Sequence, residues 1–88
     1  MNSADTKKFR AEAHTLKPVV MIGQSGLTAS VIAELEIALN THELLKVKIR
    51  AERDDRKPII EKMCTESGAE LIQSIGQIAV IYRRNPDK

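Results

Sequence analysis

The chain has 88 residues, 42% of them hydrophobic and 30% charged, and a net charge of +2. That length supports one modest core, so a single domain over residues 1–88, ordered from about residue 3 to 84, is expected. The lone Cys64 excludes a disulfide framework or a Cys/His zinc cluster and fits a reducing, cytoplasmic setting. Apolar runs stay far below the roughly 20 residues a bilayer requires, so neither a signal peptide nor a membrane contact is expected.

Residues 3–15 read as a helix, with Ser3 or Asp5 as cap and Phe9, Ala13 and Leu16 at helical spacing. It must end before Pro18, because the residue preceding a proline avoids the helical region. Val19-Val20-Met21-Ile22 is continuous and mostly β-branched, and reads as a strand buried on both faces. After the break at 23–26, Thr28 caps a second helix to about residue 41, with Val31, Ile32, Leu35, Ala38 and Leu39 as its apolar stripe. Leu45, Val47 and Ile49 then alternate with Lys46, Lys48 and Arg50, the pattern of a half-buried strand.

Asp54 or Asp55 is the expected cap of a third helix, with Pro58 in its first turn and Gly68 as its stop. Ile59, Ile60, Met63 and Cys64 form its inner face. Residues 70–75 and 78–84 read as strands joined by Gly76-Gln77, a two-residue turn with glycine first. The tail after Arg84 is expected to fray. The order α-β-α-β-α-β-β predicts a two-layer α/β sandwich with a four-stranded mixed sheet. Its helix-separated strands should pair in parallel, and its final hairpin must be antiparallel.

The Gly23-Gln24-Ser25-Gly26 loop carries the first chemical signal. Glycines admit positive φ and close approach by another backbone, and the helix that follows offers free N–H groups to a phosphate. A plain tight turn satisfies the same spacing. A Walker-type loop needs G-x-x-x-x-G-K-[ST], but these glycines are too close, and Leu27 stands where the lysine would follow. A dinucleotide fingerprint needs G-x-G-x-x-G, and its first glycine pair is missing. Charge alternates along the chain, with basic segments over 1–26, 43–51 and 71–88 and acidic ones between, which fits a polyanion partner and many ordinary domains alike. Phe9 and Tyr82 are the only aromatics. A stacking platform for bases is therefore excluded, and any RNA contact should run mainly through phosphate and sugar.

The run Leu16-Lys17-Pro18-Val19-Val20-Met21-Ile22-Gly23-Gln24-Ser25-Gly26-Leu27-Thr28, with Glu34-Leu35-Glu36, Ala38-Leu39 and His42-Glu43-Leu44-Leu45-Lys46-Val47-Lys48-Ile49, resembles the YhbY family. These proteins are bacterial stand-alone forms of the CRM (chloroplast RNA splicing and ribosome maturation) domain. The likeness extends roughly from Lys7 to Arg84. It implies a sandwich similar to the carboxyl-terminal domain of bacterial translation initiation factor three. It also implies RNA binding and an association with precursors of the large ribosomal subunit.

Beside the loop, the candidate RNA contacts are Lys7, Lys8, Arg10 and Lys17 around the first helix, Lys46, Lys48 and Arg50 on one face of the second strand, and Arg83 and Arg84 closing the last. Each set has a plainer reading: a solvated helix face, protection against edge pairing, or the end of the fold. The first set is expected near the glycine loop, and the strand lysines on a sheet face left in water. His14 and His42 sit at helix ends, where an imidazole serves as a cap, and neither has a second ligand at metal spacing. Cys64 reads as a small buried apolar group, and Glu34 and Glu36 point apart on their helix. No catalytic residue, metal, cofactor or small-molecule substrate is expected. The leading expectation is a monomeric RNA-binding factor in large-subunit assembly, acting on ribosomal RNA or a precursor particle. The alternative is a ribosome-associated protein-interaction module without direct RNA contact, and a small phosphate-ester enzyme ranks last.

Overall fold

Seven elements follow in the expected order: α1 (Ser3–Ala13), β1 (Pro18–Ile22), α2 (Ala29–Thr41), β2 (Leu44–Ile49), α3 (Arg53–Ser67), β3 (Glu70–Ile75) and β4 (Ile78–Tyr82). The computed structural model describes residues 3–85. The side chain of Ser3, proposed as a cap, lies outside what is described. Because α1 already includes Ser3, Asp5 stands in its first turn rather than before it.

The four strands form one mixed sheet in the order β1-β2-β4-β3. β1 and β2 are parallel, joined through α2, while β4 runs antiparallel to both β2 and β3. Parallel pairing of helix-separated strands therefore holds for β1 and β2 alone. The α3 crossover carries the chain one position further, and the tight hairpin brings β4 back into the gap. Gly76, at φ +55°, supplies the left-handed residue this two-residue turn needs.

The core lies between the sheet and α2–α3. Val20, Ile22, Leu45, Val47, Ile49, Ala79 and Ile81 from the strands meet Leu35, Leu39, Ile60 and Met63 from the helices. Alternation along β2 puts its lysines on the reverse face. That face is not bare. Helix α1 packs across part of it, where Ala13, Ile72 and Val80 form a second cluster with Phe9, Leu44 and Tyr82. Phe9 stacks on Tyr82 at 4.2 Å between ring centroids. Lys46 and Lys48 are consequently half-buried, and only Arg50 is exposed.

β1 is not buried on both faces as expected. It is an edge strand with a bulge between Pro18 and Val20, and Val19 and Met21 are 54% and 50% exposed. A proline at the first position of an edge strand costs no ladder hydrogen bond. In α3 the N-cap is Glu52, without a side-chain cap bond, and Asp54 and Asp55 occupy the first turn, where carboxylates complement the dipole. Pro58 lies in the second turn, not the first.

At the end of the sheet where β4 finishes, Arg83 closes the fold. Its Nη1 donates to both carboxylate oxygens of Glu36 at 3.0 and 2.8 Å and to the Ser67 carbonyl at 2.8 Å, and its Nη2 donates to Asn40 Oδ1 at 3.1 Å. The chain stays anchored beyond Arg84: the Asn85 N–H donates to Glu43 Oε2 at 2.8 Å, and its side-chain amide donates to the Asn40 carbonyl at 2.8 Å. The expected fraying therefore does not begin at Asn85, and residues 86–88 lie outside the described chain.

Candidate nucleic-acid interface

The loop from Gly23 to Gly26 is a single β-turn, closed by the Gly26 N–H donating to the Gly23 carbonyl at 3.0 Å. Gly26 sits at φ +74°, a conformation that L side chains rarely adopt. Gly23 differs in its backbone alone: its φ is not in the left-handed region, while a Cβ built on it, as on Gly26, meets nothing within 4 Å. The fold itself has no need of glycine there. Two residues on, Thr28 caps α2, its Oγ1 accepting from the Val31 N–H at 3.2 Å. The N–H groups of Ala29 and Ser30, which precede any intrahelical partner, face the same end as the loop.

Two hydrogen bonds gather other elements at this end. The Arg50 N–H donates to the Ile22 carbonyl at 2.9 Å, extending the parallel ladder to the edge of the loop. The Ile49 N–H donates to the Gln77 carbonyl at 2.7 Å, drawing in the β3–β4 turn. Between them opens a cleft of about 770 Å³. Gly23 and Gln24 form one wall, Lys48 and Arg50 enter from β2, Arg56 from α3 and Gln77 from the hairpin. Glu52 and Asp55 also line it. None of the three cations makes an ion pair with a carboxylate of the described residues, in contrast to Arg83. Arg56 is partly held, its Nη1 donating to the Ala51 carbonyl at 3.3 Å.

The candidate residues thus divide. Gly23, Gln24, Lys48 and Arg50 come together, with Ser25 and Gly26 completing the turn. Lys7, Lys8, Arg10 and Lys17 are not among the residues that line this cleft. Helix α1 instead packs across the reverse face of the sheet, from Leu44 and Tyr82 to Ile72 and Val80, and the groove beneath it reaches Ile75 and Ile78 beside the hairpin. Arg10 and Lys46 line that groove, and Lys17 stands at the start of β1, a full strand away from the loop. Arg83 is committed to its clasp, and Arg84 is exposed at the same distant end.

Arg56 and Gln77 were missed by sequence reasoning. The acidic net charge of residues 52–70 hides Arg53, Arg56 and Lys57. The available signal is their position, three cations in the first turns of a helix, where the dipole disfavours positive charge. Cys64 is half-buried against the core, and burial pushes its thiol up, away from reactivity. Among the described residues no group of three or more His, Cys, Asp and Glu is placed to hold a metal, and no helix is long and apolar enough to cross a membrane.

A family model, the CRS1 / YhbY (CRM) domain, matches residues 1–83. The chain is 52% identical over 81 residues to the probable RNA-binding protein PA4753 of Pseudomonas aeruginosa, covering 91% of this chain and 78% of that protein. It is 48% identical over 83 residues to a Haemophilus influenzae protein named RNA-binding protein, covering 92% of this chain and 84% of the relative. Among solved structures, the hypothetical protein SAV1595 of Staphylococcus aureus, described as a candidate RNA-binding protein, is similar at a TM-score of 0.85. The two are 30% identical, and the match covers 97% of this chain and 90% of the other. Matched along nearly all its length in sequence and in fold, the chain belongs to the CRS1 / YhbY (CRM) domain family.

Proposed function

We propose that this chain is a monomeric, non-enzymatic RNA-binding factor acting on ribosomal RNA in large-subunit assembly, and that it takes sugar and phosphate in the cleft beside the glycine loop. The observation that carries this reading is Gly23. Alone of the four glycines it has no positive φ, so the turn does not require it, and its bare backbone is open to a group from outside the chain. Around it stand donors of the right kind: the N–H groups at the start of α2, the Gln24 and Ser25 side chains, and the cations Lys48, Arg50 and Arg56. Both aromatics are taken up by the stack of Phe9 on Tyr82, so recognition rests on backbone and shape. The names of the relatives support RNA as the partner class, and the family resemblance supports the ribosomal setting.

Lysines 7, 8 and 17 and Arg10 add to the surrounding field and stand outside the contact set, as do Arg83 and Arg84. A salt titration of binding to a large-subunit ribosomal RNA fragment tests the proposal. If three to five phosphates are neutralised, the logarithm of the association constant falls against that of salt with a slope of about −2 to −4. A flat salt dependence, or no binding at low salt, overturns it. The exposed apolar residues Val19 and Ile37, 54% and 68% accessible, favour a second reading, docking on a ribosomal protein. Ribosome association that survives complete RNase digestion would establish that reading instead.

A further inference from the structure

We infer that RNA held at the glycine loop continues into a second groove on the flank of α3, which binds its sugar–phosphate backbone. This inference rests on the function proposed above and extends its footprint. The groove, about 610 Å³, runs between the first turns of α3 and the edge strand β3. Arg53, Arg56 and Lys57 form its rim. Spaced i, i+3 and i+4, they project from one side of the helix. Ser74 adds a hydroxyl, and Leu71, 45% exposed, provides a short apolar floor.

Three features point to a polyanion. Among the described residues none of the three cations is in an ion pair, although Glu61 lines the same groove and Glu52 and Asp55 line the neighbouring cleft. Cations in the first turns of a helix oppose its dipole, so this placement gains nothing for the isolated helix. Arg56 lines both the loop cleft and this groove. Gly76 lines this groove and Gln77 the cleft, so the two lie side by side at the β3–β4 turn with Arg56 common to both, and a strand leaving Lys48 and Arg50 meets Arg56 next. The three cations of the rim, rather than the apolar lining at Ile60 and Leu71, decide for a polyanion over a protein ligand.

The test compares three variants of the full chain with wild type, using a labelled large-subunit ribosomal RNA fragment over a range of salt. R53Q/K57Q alters the groove and spares the cleft. Both residues are exposed and glutamine is a good helix former, so the fold should survive, as circular dichroism will verify. K7Q/K8Q removes the same charge from α1. Gly23→Val blocks the loop. The expected result is a loss of affinity of at least tenfold in R53Q/K57Q and a salt slope shallower by about 1.5, with a threefold or smaller loss in K7Q/K8Q. If R53Q/K57Q behaves like K7Q/K8Q while Gly23→Val binds poorly, the groove assignment is overturned and the loop reading stands. If Gly23→Val binds as wild type does, the loop reading fails, whatever the groove variant does. If wild type does not bind, both fail.

Discussion

The four residues of the Gly23–Gly26 turn separate two uses of glycine that look the same in a sequence. At Gly26 the backbone demands it: φ is +74°, and an L side chain there is strained by about 1 kcal/mol or more. At Gly23 the fold makes no such demand. Gly26→Ala should lower stability by about 1–2 kcal/mol in chemical denaturation. Gly23→Ala should leave stability unchanged or raise it by up to about 1 kcal/mol, since alanine restricts the unfolded chain, while weakening RNA binding. Equal stability losses in the two variants would assign both glycines to the turn alone. Cys64 illustrates burial acting on a single group. Its thiol ionises less readily in the fold than in the unfolded chain, so the unfolded state loses its proton first and stability falls as pH rises past the usual thiol range. A Cys64→Ala variant should show a shallower loss there, measured as the difference in denaturation midpoint between neutral and alkaline pH.

Among the elements, α2 connects the fold to the site. Its apolar stripe through Leu35 and Leu39 fixes its position on the sheet, and its first turn faces the cleft. The Thr28 cap sets where that turn begins, through a hydrogen bond of 3.2 Å to the Val31 N–H. Thr28→Ala should cost about 1 kcal/mol, with Thr28→Ser largely restoring it. On the proposed role of the N–H groups at the start of α2 as phosphate donors, RNA affinity should fall along with stability. An RNA affinity untouched by a destabilising Thr28→Ala would separate the helix start from the site. Helix α3 is built the other way. It lacks a side-chain cap bond, carries Pro58 within it, and holds its three cations where the dipole disfavours them. It is positioned by Ile60 and Met63 in the core rather than by its own local preferences.

At the scale of the whole molecule the two ends of the sheet gather different elements. One gathers the glycine turn, the start of α2, the ends of β1 and β2 and the hairpin. The other is closed by the Phe9–Tyr82 stack, by Asn85 and by Arg83, whose guanidinium ties β4 to α2 and to the end of α3. Cations at the two ends should therefore give opposite phenotypes. Arg83→Ala should lower stability by about 1–2 kcal/mol, because it leaves the Ser67 carbonyl and Glu36 without their shared donor, yet keep RNA affinity under conditions where the variant is folded. Lys48→Gln and Arg50→Gln should weaken RNA binding with little change in the denaturation midpoint. Arg83→Ala lowering affinity as much as Arg50→Gln would mean that both ends touch RNA.

The sequence by itself determined the element order, the core positions of α2, β2 and α3 and the turn chemistry at Gly76. Period-two alternation marks Leu45, Val47 and Ile49 as buried, helical spacing marks Leu35 and Leu39, and Thr28, Gly68 and Gly76 stand where caps and turns need them. These signals are local, set by backbone sterics and by which face of an element meets water. The tertiary structure alone decided which distant residues meet. It put β4 between β2 and β3, which left β1 at an edge with Val19 and Met21 exposed. It laid α1 over the reverse face beside Lys46, and Lys7, Lys8 and Lys17 do not line the loop cleft. It turned Arg83 inward and brought Arg56 to Gly23. None of these follows from local propensity, because strand order and the side of the sheet a helix takes are fixed by how the whole chain buries its apolar surface. A cation's part in a site depends on where that burial leaves it.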